Sequence, residues 1–441
     1  MMKQERIPLA RGESWAASRG EGEGGRYTPL ALLALCGFAF LMVTIVSVDE
    51  WPGLFLYLAV AGVLALGLYR RGIAPVDPGF PASLFLLALL LKWSSALVRY
   101  WTAMDLYGGA ADALLYHYQG QFVAQYFRDL DFSLFTWYQA RGEGTTNLVY
   151  LTGVIYTFLP PSFPGAFLLF ASLAFAGSVL FYRSMREAVP GASPTVYRWL
   201  IFFLPSILFW PASLGKDAWI FFCSGLVAWG WAVFARRTNL AGLGWTAAGL
   251  AGIVLIRPHI AAFMAMAMAA GYILYGIRHV RHPLIWLAGG LIIGFTVLMA
   301  VRAGQDFLNL DALSLDSIQE FYFEQQESTM QGGSRFVPPN VFTPAGAIYG
   351  LVTVMARPFP WEAHNAQALL TSLETLCWIF FCWAQRGRFV KKVRELRADP
   401  FAGFALTYSL ILMLALTSIG NFGILVRQRV MFLPFFWLLF V

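Results

Sequence analysis

Apolar runs of about 20 residues recur from Tyr27 to Val441, each long enough to cross a hydrocarbon core of about 30 Å. In hydrocarbon no water satisfies backbone N–H and C=O groups, so runs of this kind fold as helices. Only 12% of the 441 residues are charged and 59% are hydrophobic, whereas soluble domains average about 25% charged residues. The chain is therefore expected to be an all-α, polytopic bundle of transmembrane helices. Residues 1–26, containing RGESWAASRGEGEGGR, hold no apolar stretch of the signal-peptide kind and read as a disordered cytoplasmic tail, leaving 27–441 as a single transmembrane domain.

Apolar length and bounding charges place spans at 28–48, 54–69, 80–99, 163–182, 199–213, 218–234, 240–256, 260–276, 284–301, 366–384, 401–418 and 424–441, about twelve in all. Short loops rich in Lys and Arg belong on the cytoplasmic side. The tail, Arg70 and Arg71, Arg183 and Arg186, Arg236 and Arg237, Arg278 and Arg281, and the run from Arg386 all fall there, provided that 147–160 lies along or dips into the outer face instead of crossing. Two long outer loops remain, 102–162 and 303–365, both acidic and aromatic. The second carries Asp306, Asp311, Asp316, Glu320, Glu324 and Glu327 and then TPAGAIYGLVTVMARPFPW, which suits an interfacial helix. Long external loops with helices of their own commonly carry function. No convincing inverted repeat of the transporter kind is visible.

The net charge is +7 and the isoelectric point about 9.2, but in a membrane chain the distribution of basic residues matters more than the sum, and nucleic acid is not an expected partner. Cys36, Cys223, Cys377 and Cys382 all fall inside apolar runs without zinc-type spacing, so neither a disulfide framework nor a structural metal is implied. A divalent cation on the acidic outer loop is not indicated, although solvated carboxylates there leave that use open.

An ionisable residue at the centre of a span costs about 2.5 to 3.5 kcal/mol on insertion scales, so stranded charges are the functional lead. On the topology above, Asp105, Asp112, His117, Lys216, Asp217, Arg257, His259, Arg357, Glu362, His364, Arg427 and Arg429 gather near the outer face. Four arginines and a lysine at helix mouths suit a phosphate or pyrophosphate, because guanidinium matches phosphate oxygens in a bidentate manner and keeps its charge when desolvated. Gly108 and Gly109 are expected to break the helix between Asp105 and Asp112, and a new helix near Ala110 would put Asp112, Tyr116 and His117 on one side. A carboxylate there is placed to deprotonate a sugar hydroxyl, and Glu362 is a second candidate base.

Each residue also has a plainer reading. Asp112 answers a helix dipole, Asp217 caps the helix from Ala218, Arg257 pairs with an acidic loop residue, and Trp361 belongs to an interfacial belt. Lys92 is expected to pair with Glu374. Arg427 and Arg429 lie on roughly opposite sides of the last apolar run, so at least one is expected to face a polar cavity.

The chain resembles the bacterial polytopic glycosyltransferases of the GT-C class and the related EpsG-like and Wzy-type polysaccharide polymerases. The resemblance rests on MDLYGGAADALLYHYQGQF in the first long outer loop, NLVYLTGVIYTFLP, PSILFWPASLGKDAW, IRPH and NFGILVRQRVMFLPF. It implies a polyprenyl-phosphate- or diphosphate-linked sugar donor, a sugar or glycan acceptor, and transfer at the outer face of the bacterial cytoplasmic membrane, in polysaccharide assembly. On these residues, Asp112 or Asp105 would activate the acceptor hydroxyl, while Arg257, Arg357, Arg427 and Lys216 would hold the leaving phosphate. Arg429 and His259 would extend that phosphate site, with His117, Asp217 and His364 supporting it. Two further spans before the Asp-bearing loop and the lack of a large soluble carboxy-terminal domain depart from the GT-C pattern. Two other readings of the same charges are a transporter or flippase of lipid-linked glycans and a non-catalytic subunit of an assembly complex.

Overall fold

In the computed structural model, residues 13–441 are described except 110, 192, 238–239, 280–293, 295–297, 299–301, 303–314, 332 and 364–365. Among the described residues the chain is helical and contains no strand. The helices are α1 (Glu13–Ile45), α2 (Trp51–Gly67), α3 (Ala82–Trp101), α4 (Asp112–Arg128), α5 (Leu134–Trp137), α6 (Glu143–Phe158), α7 (Phe163–Ala188), α8 (Pro194–Phe203) and α9 (Pro205–Phe209). They continue with α10 (Lys216–Arg237), α11 (Leu240–Val254), α12 (Pro258–His279), α13 (Leu315–Thr329), α14 (Pro344–Ala356), α15 (Ala366–Ala384), α16 (Arg386–Arg394), α17 (Pro400–Leu416), α18 (Phe422–Arg429) and α19 (Leu433–Trp437).

Six of these segments are long and apolar enough to cross a membrane: Gly25–Ile45, Val48–Ile73, Ala82–Leu106, Phe163–Ala188, Lys216–Arg237 and Ala366–Ala384. Phe422–Arg429 and Leu433–Phe440 form a seventh if taken together, bent by 53°. Large apolar side chains such as Phe40 on α1 and Phe380 on α15 project outward, each 66% exposed, which suits lipid contact far better than water. These helices mark the chain as a membrane protein.

Several expected spans take another form. The run 199–213 is broken at Leu204, where the following Pro205 starts α9, so the chain turns there instead of crossing in one helix. Residues 240–256 and 401–418 become the shorter apolar helices α11 and α17, and 284–301 lies almost wholly outside the described residues. Helix α1 begins at Glu13, inside the stretch expected to be a disordered tail; once the apolar segment nucleates a helix, each added residue brings its own hydrogen bond. Helix α6 packs on α4 and is not among the candidate crossings, as expected for 147–160. The amphipathic stretch after 343 forms α14, whose first turn is capped by the Thr343 hydroxyl accepting from Gly346 N at 3.1 Å.

The core lies where α7 packs between α2, α3 and α10, with α11 on the far side of α10. Close backbone approach makes this possible. A Cβ at Gly225 of α10 would come within 2.7 Å of the Gly177 carbonyl oxygen of α7, and one at Gly249 of α11 within 2.7 Å of the Cys223 carbonyl oxygen. Small residues at such crossings let helices gain dispersion contacts in a solvent that supplies no hydrophobic drive. Helices α12 and α17 pack in the same way through Gly271 and Gly403.

Candidate functional site

Asp217 lies at the centre of the largest group of converging charges. It sits in the first turn of α10, where Gly215 ends the preceding turn and frees the helix to start at Lys216. Its carboxylate is buried, accepts a hydrogen bond from Arg427 Nε of α18 through Oδ2, and has Arg257 Nη2 at 3.6 Å from Oδ1. Asp217 is thus an ion-pair hub and not the simple helix cap considered from sequence. Arg257 occupies the corner between α11 and α12 and also donates from Nη1 to Gln428 Oε1 at 2.9 Å.

Three further elements close on this hub. Lys216 Nζ donates to Thr145 Oγ1 of α6 at 2.8 Å, and Thr145 also pairs with the Tyr116 phenol of α4. Burial pushes the Tyr116 phenol well up, so it stays a neutral hydroxyl. Asp112, exposed at the start of α4, lies within electrostatic reach of Lys216, Tyr116 and Arg427. Arg99 on α3 also acts on Asp217 and Arg427; its guanidinium stacks over Phe209 at 5.1 Å and Trp210 at 5.5 Å, and its buried Nε has no hydrogen-bond partner among the described residues. Among the described residues four cations therefore share two carboxylates, at a place where candidate spans begin and end. An excess of guanidinium and ammonium groups in a partly desolvated setting is what a phosphate requires.

Other expected site residues lie elsewhere. Arg357 and Glu362 form their own pair, with Nη2–Oε1 at 2.5 Å and Nε to the two carboxylate oxygens at 2.9 and 3.1 Å. Phe359 N donates to Glu362 Oε2 at 2.9 Å, and the Arg357 guanidinium lies beside the stacked rings of Phe336 and Phe422, 4.7 and 4.9 Å from their centres. Among the described residues the Arg357 charge is met by the Glu362 carboxylate. The proline-fixed turn after α14, including Pro358 and Pro360, brings the two residues together across five positions.

His117 is buried on α4. Gln121 Nε2 donates to His117 Nε2 at 2.7 Å, which leaves the ring proton on Nδ1 to donate to Tyr156 Oη, also at 2.7 Å. Burial pushes its pKa down to about 4, so the ring is neutral near pH 7. His259 follows Arg257 by two residues, at the start of α12, and lies edge-on to Phe263. Asp105 is exposed in a π-helical turn, Thr102–Leu106, after α3. Gly108 and Gly109, with φ of +54° and +79°, separate it from α4, as the helix break expected there requires. His364 lies outside the described residues, as do Asp306 and Asp311.

Arg429 is buried on the far side of α18 from Asp217 and donates to Thr375 Oγ1 at 3.3 Å, with Glu374 close enough to act on it electrostatically. Its Nε and Nη2 are buried without hydrogen-bond partners among the described residues. Lys92 does not pair with Glu374. Its ammonium donates to the Ile207 and Leu208 carbonyls at 2.8 and 3.1 Å, and Glu374 Oε2 instead accepts from Ser206 N and Oγ, each at 2.9 Å. The reason lies in α9: a five-residue helix leaves donors and acceptors bare at its two ends, and the buried charges satisfy them.

Arg99 and Thr145 are the members of the Asp217 group that sequence reasoning missed. The charge of Arg99 near the end of an apolar run was a usable signal; nothing in the sequence marks Thr145. Among the described residues no three His, Cys, Asp or Glu side chains gather in a way that could hold a metal ion. Comparison with protein-family models, curated proteins and solved structures returned no match.

Proposed function

We propose that this chain is a membrane glycosyltransferase that takes sugar from a polyprenyl-phosphate or polyprenyl-diphosphate carrier and passes it to a glycan acceptor, as in cell-surface polysaccharide assembly. The observation that carries the reading is the convergence of Arg99, Lys216, Arg257 and Arg427 on Asp217 and Asp112, from separate elements at the ends of apolar helices. Among the described residues two positive charges remain in excess there, at the ends of helices long and apolar enough to span a membrane. The resemblance in the Asp-bearing loop and the terminal arginine motif favours sugar as the transferred group.

In this reading the acceptor hydroxyl attacks the anomeric carbon, the bond from that carbon to the phosphate oxygen breaks, and the electron pair leaves with the phosphate. Lys216 and the three arginines offset the developing charge. Asp112, exposed at the rim and next to Lys216, takes the hydroxyl proton. Asp217 touches no substrate; it holds Arg427 and Arg257 in place, which makes it a positioning residue.

The test is transfer of radiolabelled sugar from a polyprenyl-linked donor by the full chain in nanodiscs. Asp112→Asn is expected to lower the transfer rate by about 10²–10⁴-fold while donor binding stays within twofold. Wild-type protein that binds donor yet transfers no sugar to any acceptor offered would overturn the enzyme reading in favour of a carrier or scaffold.

A further inference from the structure

The opposite end of α10 holds a second cationic site. A cavity of about 540 Å³ lies where the ends of α7 and α10 meet the start of α11, within the range of pockets that hold small ligands. Its walls include Arg183, Arg186 and Glu187 of α7, Trp229 and Arg237 of α10, and Trp245 of α11. At about 1.5 Å per residue the helix from Lys216 to Arg237 is about 33 Å long, so this cavity and the Asp217 group stand at opposite ends of a helix long enough to cross a membrane.

Basic residues at helix C-termini commonly do no more than answer the helix dipole, and they then point into solvent. Here three of them meet around a cavity instead. Arg237 grips Glu187 through Nε and Nη2 at 2.6 and 2.7 Å, so the carboxylate is neutralised and does not repel an incoming anion. The Arg183 guanidinium lies 4.3 Å from the centre of the Trp229 ring, and its buried Nε has no hydrogen-bond partner among the described residues. Arg186 is held in place by Nε donating to the Val76 carbonyl at 3.3 Å. Trp229 and Trp245 pack with ring centres 5.6 Å apart, and Trp245 is half exposed, which suits the headgroup level where tryptophan concentrates.

We infer that this cavity binds the phosphate headgroup of an anionic membrane lipid, with Arg183 and Arg186 on the phosphate and the two indoles against the glycerol and upper acyl carbons. The site is separate from the proposed donor site and stands whether or not that proposal does. A free phosphate compound offers the same charge but lacks the apolar part that the indoles would cover.

The test uses the full chain in phosphatidylcholine nanodiscs and a phosphatidic acid bearing a photoreactive group near its headgroup, with labelled peptides mapped by mass spectrometry. Labelling is expected within 183–190 or 229–245, displaced by unlabelled phosphatidic acid and reduced less than twofold by equimolar phosphatidylcholine or inorganic phosphate. Arg186→Gln should lower labelling at these peptides at least tenfold. Ala241→Trp should do the same by filling the cavity without removing a charge, since Ala241 lines it from an exposed position. Wild-type labelling confined to other peptides overturns the site without recourse to any variant, and undiminished labelling in folded Ala241→Trp does so too. Displacement by inorganic phosphate as effective as by the lipid overturns the assignment to a lipid.

Discussion

Two arginine–carboxylate groups flank α18 and differ in their balance. At Arg357 and Glu362, among the described residues, one cation meets one carboxylate, both oxygens are engaged, and a stacked pair of phenylalanine rings lies against the guanidinium. Around Asp217, among the described residues, four cations share two carboxylates, one of them exposed at the rim. Both looked like phosphate sites when only the sequence was considered. A buried charge marks a binding site when its surroundings leave it in excess; when they match it, the charge is part of the scaffold.

The comparison breaks most readily at Asp217. Removing one partner from a buried ion pair costs about 3–5 kcal/mol, because the other charge stays buried without compensation. Asp217→Asn is therefore expected to lower the unfolding free energy by about that much, with Arg427→Gln in the same chain recovering part of it. Thermal unfolding in detergent measures both, and a double variant less stable than either single one would contradict the hub. Added inorganic phosphate should also raise the melting temperature of wild type more than that of Asp217→Asn, which a merely structural Asp217 would not predict.

Glu362→Gln gives the counterpart in the balanced group. It weakens charged hydrogen bonds to Arg357 worth about 1.5–3 kcal/mol each, so a moderate loss of stability is expected with sugar transfer per folded molecule unchanged. Loss of transfer beyond tenfold in folded protein would move Glu362 back among the candidate bases.

The smallest expected effect comes from His117. Its folded pKa of about 4 lies below the ordinary value of 6.5, so the unfolded chain binds the extra proton first as pH falls. The stability held by the neutral ring is complete above pH 6.5 and is lost as pH drops toward 4. Between pH 7 and pH 5 that loss is about 2 kcal/mol. His117→Phe should abolish this portion of the acid sensitivity, and an unchanged pH profile would show that the ring is already charged or does not matter.

How far the sequence could be read depends on the range of each interaction. The spans around 28–48, 80–99, 163–182 and 218–234 were legible because length and apolarity are local properties, and the break at Gly108 and Gly109 was legible because only the backbone of those two residues decides it. Lys216, Arg257 and Arg427 were legible as out-of-place charges. Their meeting on Asp217 was not, since Asp217 and Arg427 are separated by 210 positions and only the tertiary fold brings them together. The exchange of Lys92 and Glu374 onto the ends of α9 was hidden for a related reason: 199–213 reads as a continuous apolar span until Pro205 is seen to start a short helix whose backbone needs partners. The Arg357–Glu362 pair, only five residues apart across a proline turn, could have been recognised.

The central claim is that excess positive charge around Asp217 holds a lipid-linked phosphate, whereas the matched pair at Glu362 does not. Equilibrium binding of a polyprenyl-phosphate sugar donor to the full chain in nanodiscs, compared among wild type, Arg257→Gln and Arg357→Gln of equal folded fraction, tests it most directly. Truncating a partner of a buried, hydrogen-bonded charge pair costs about 2–5 kcal/mol of binding, so Arg257→Gln should weaken the donor by at least tenfold. Arg357→Gln should leave the affinity within twofold of wild type. Equal weakening in the two variants, or none in Arg257→Gln, would contradict the account.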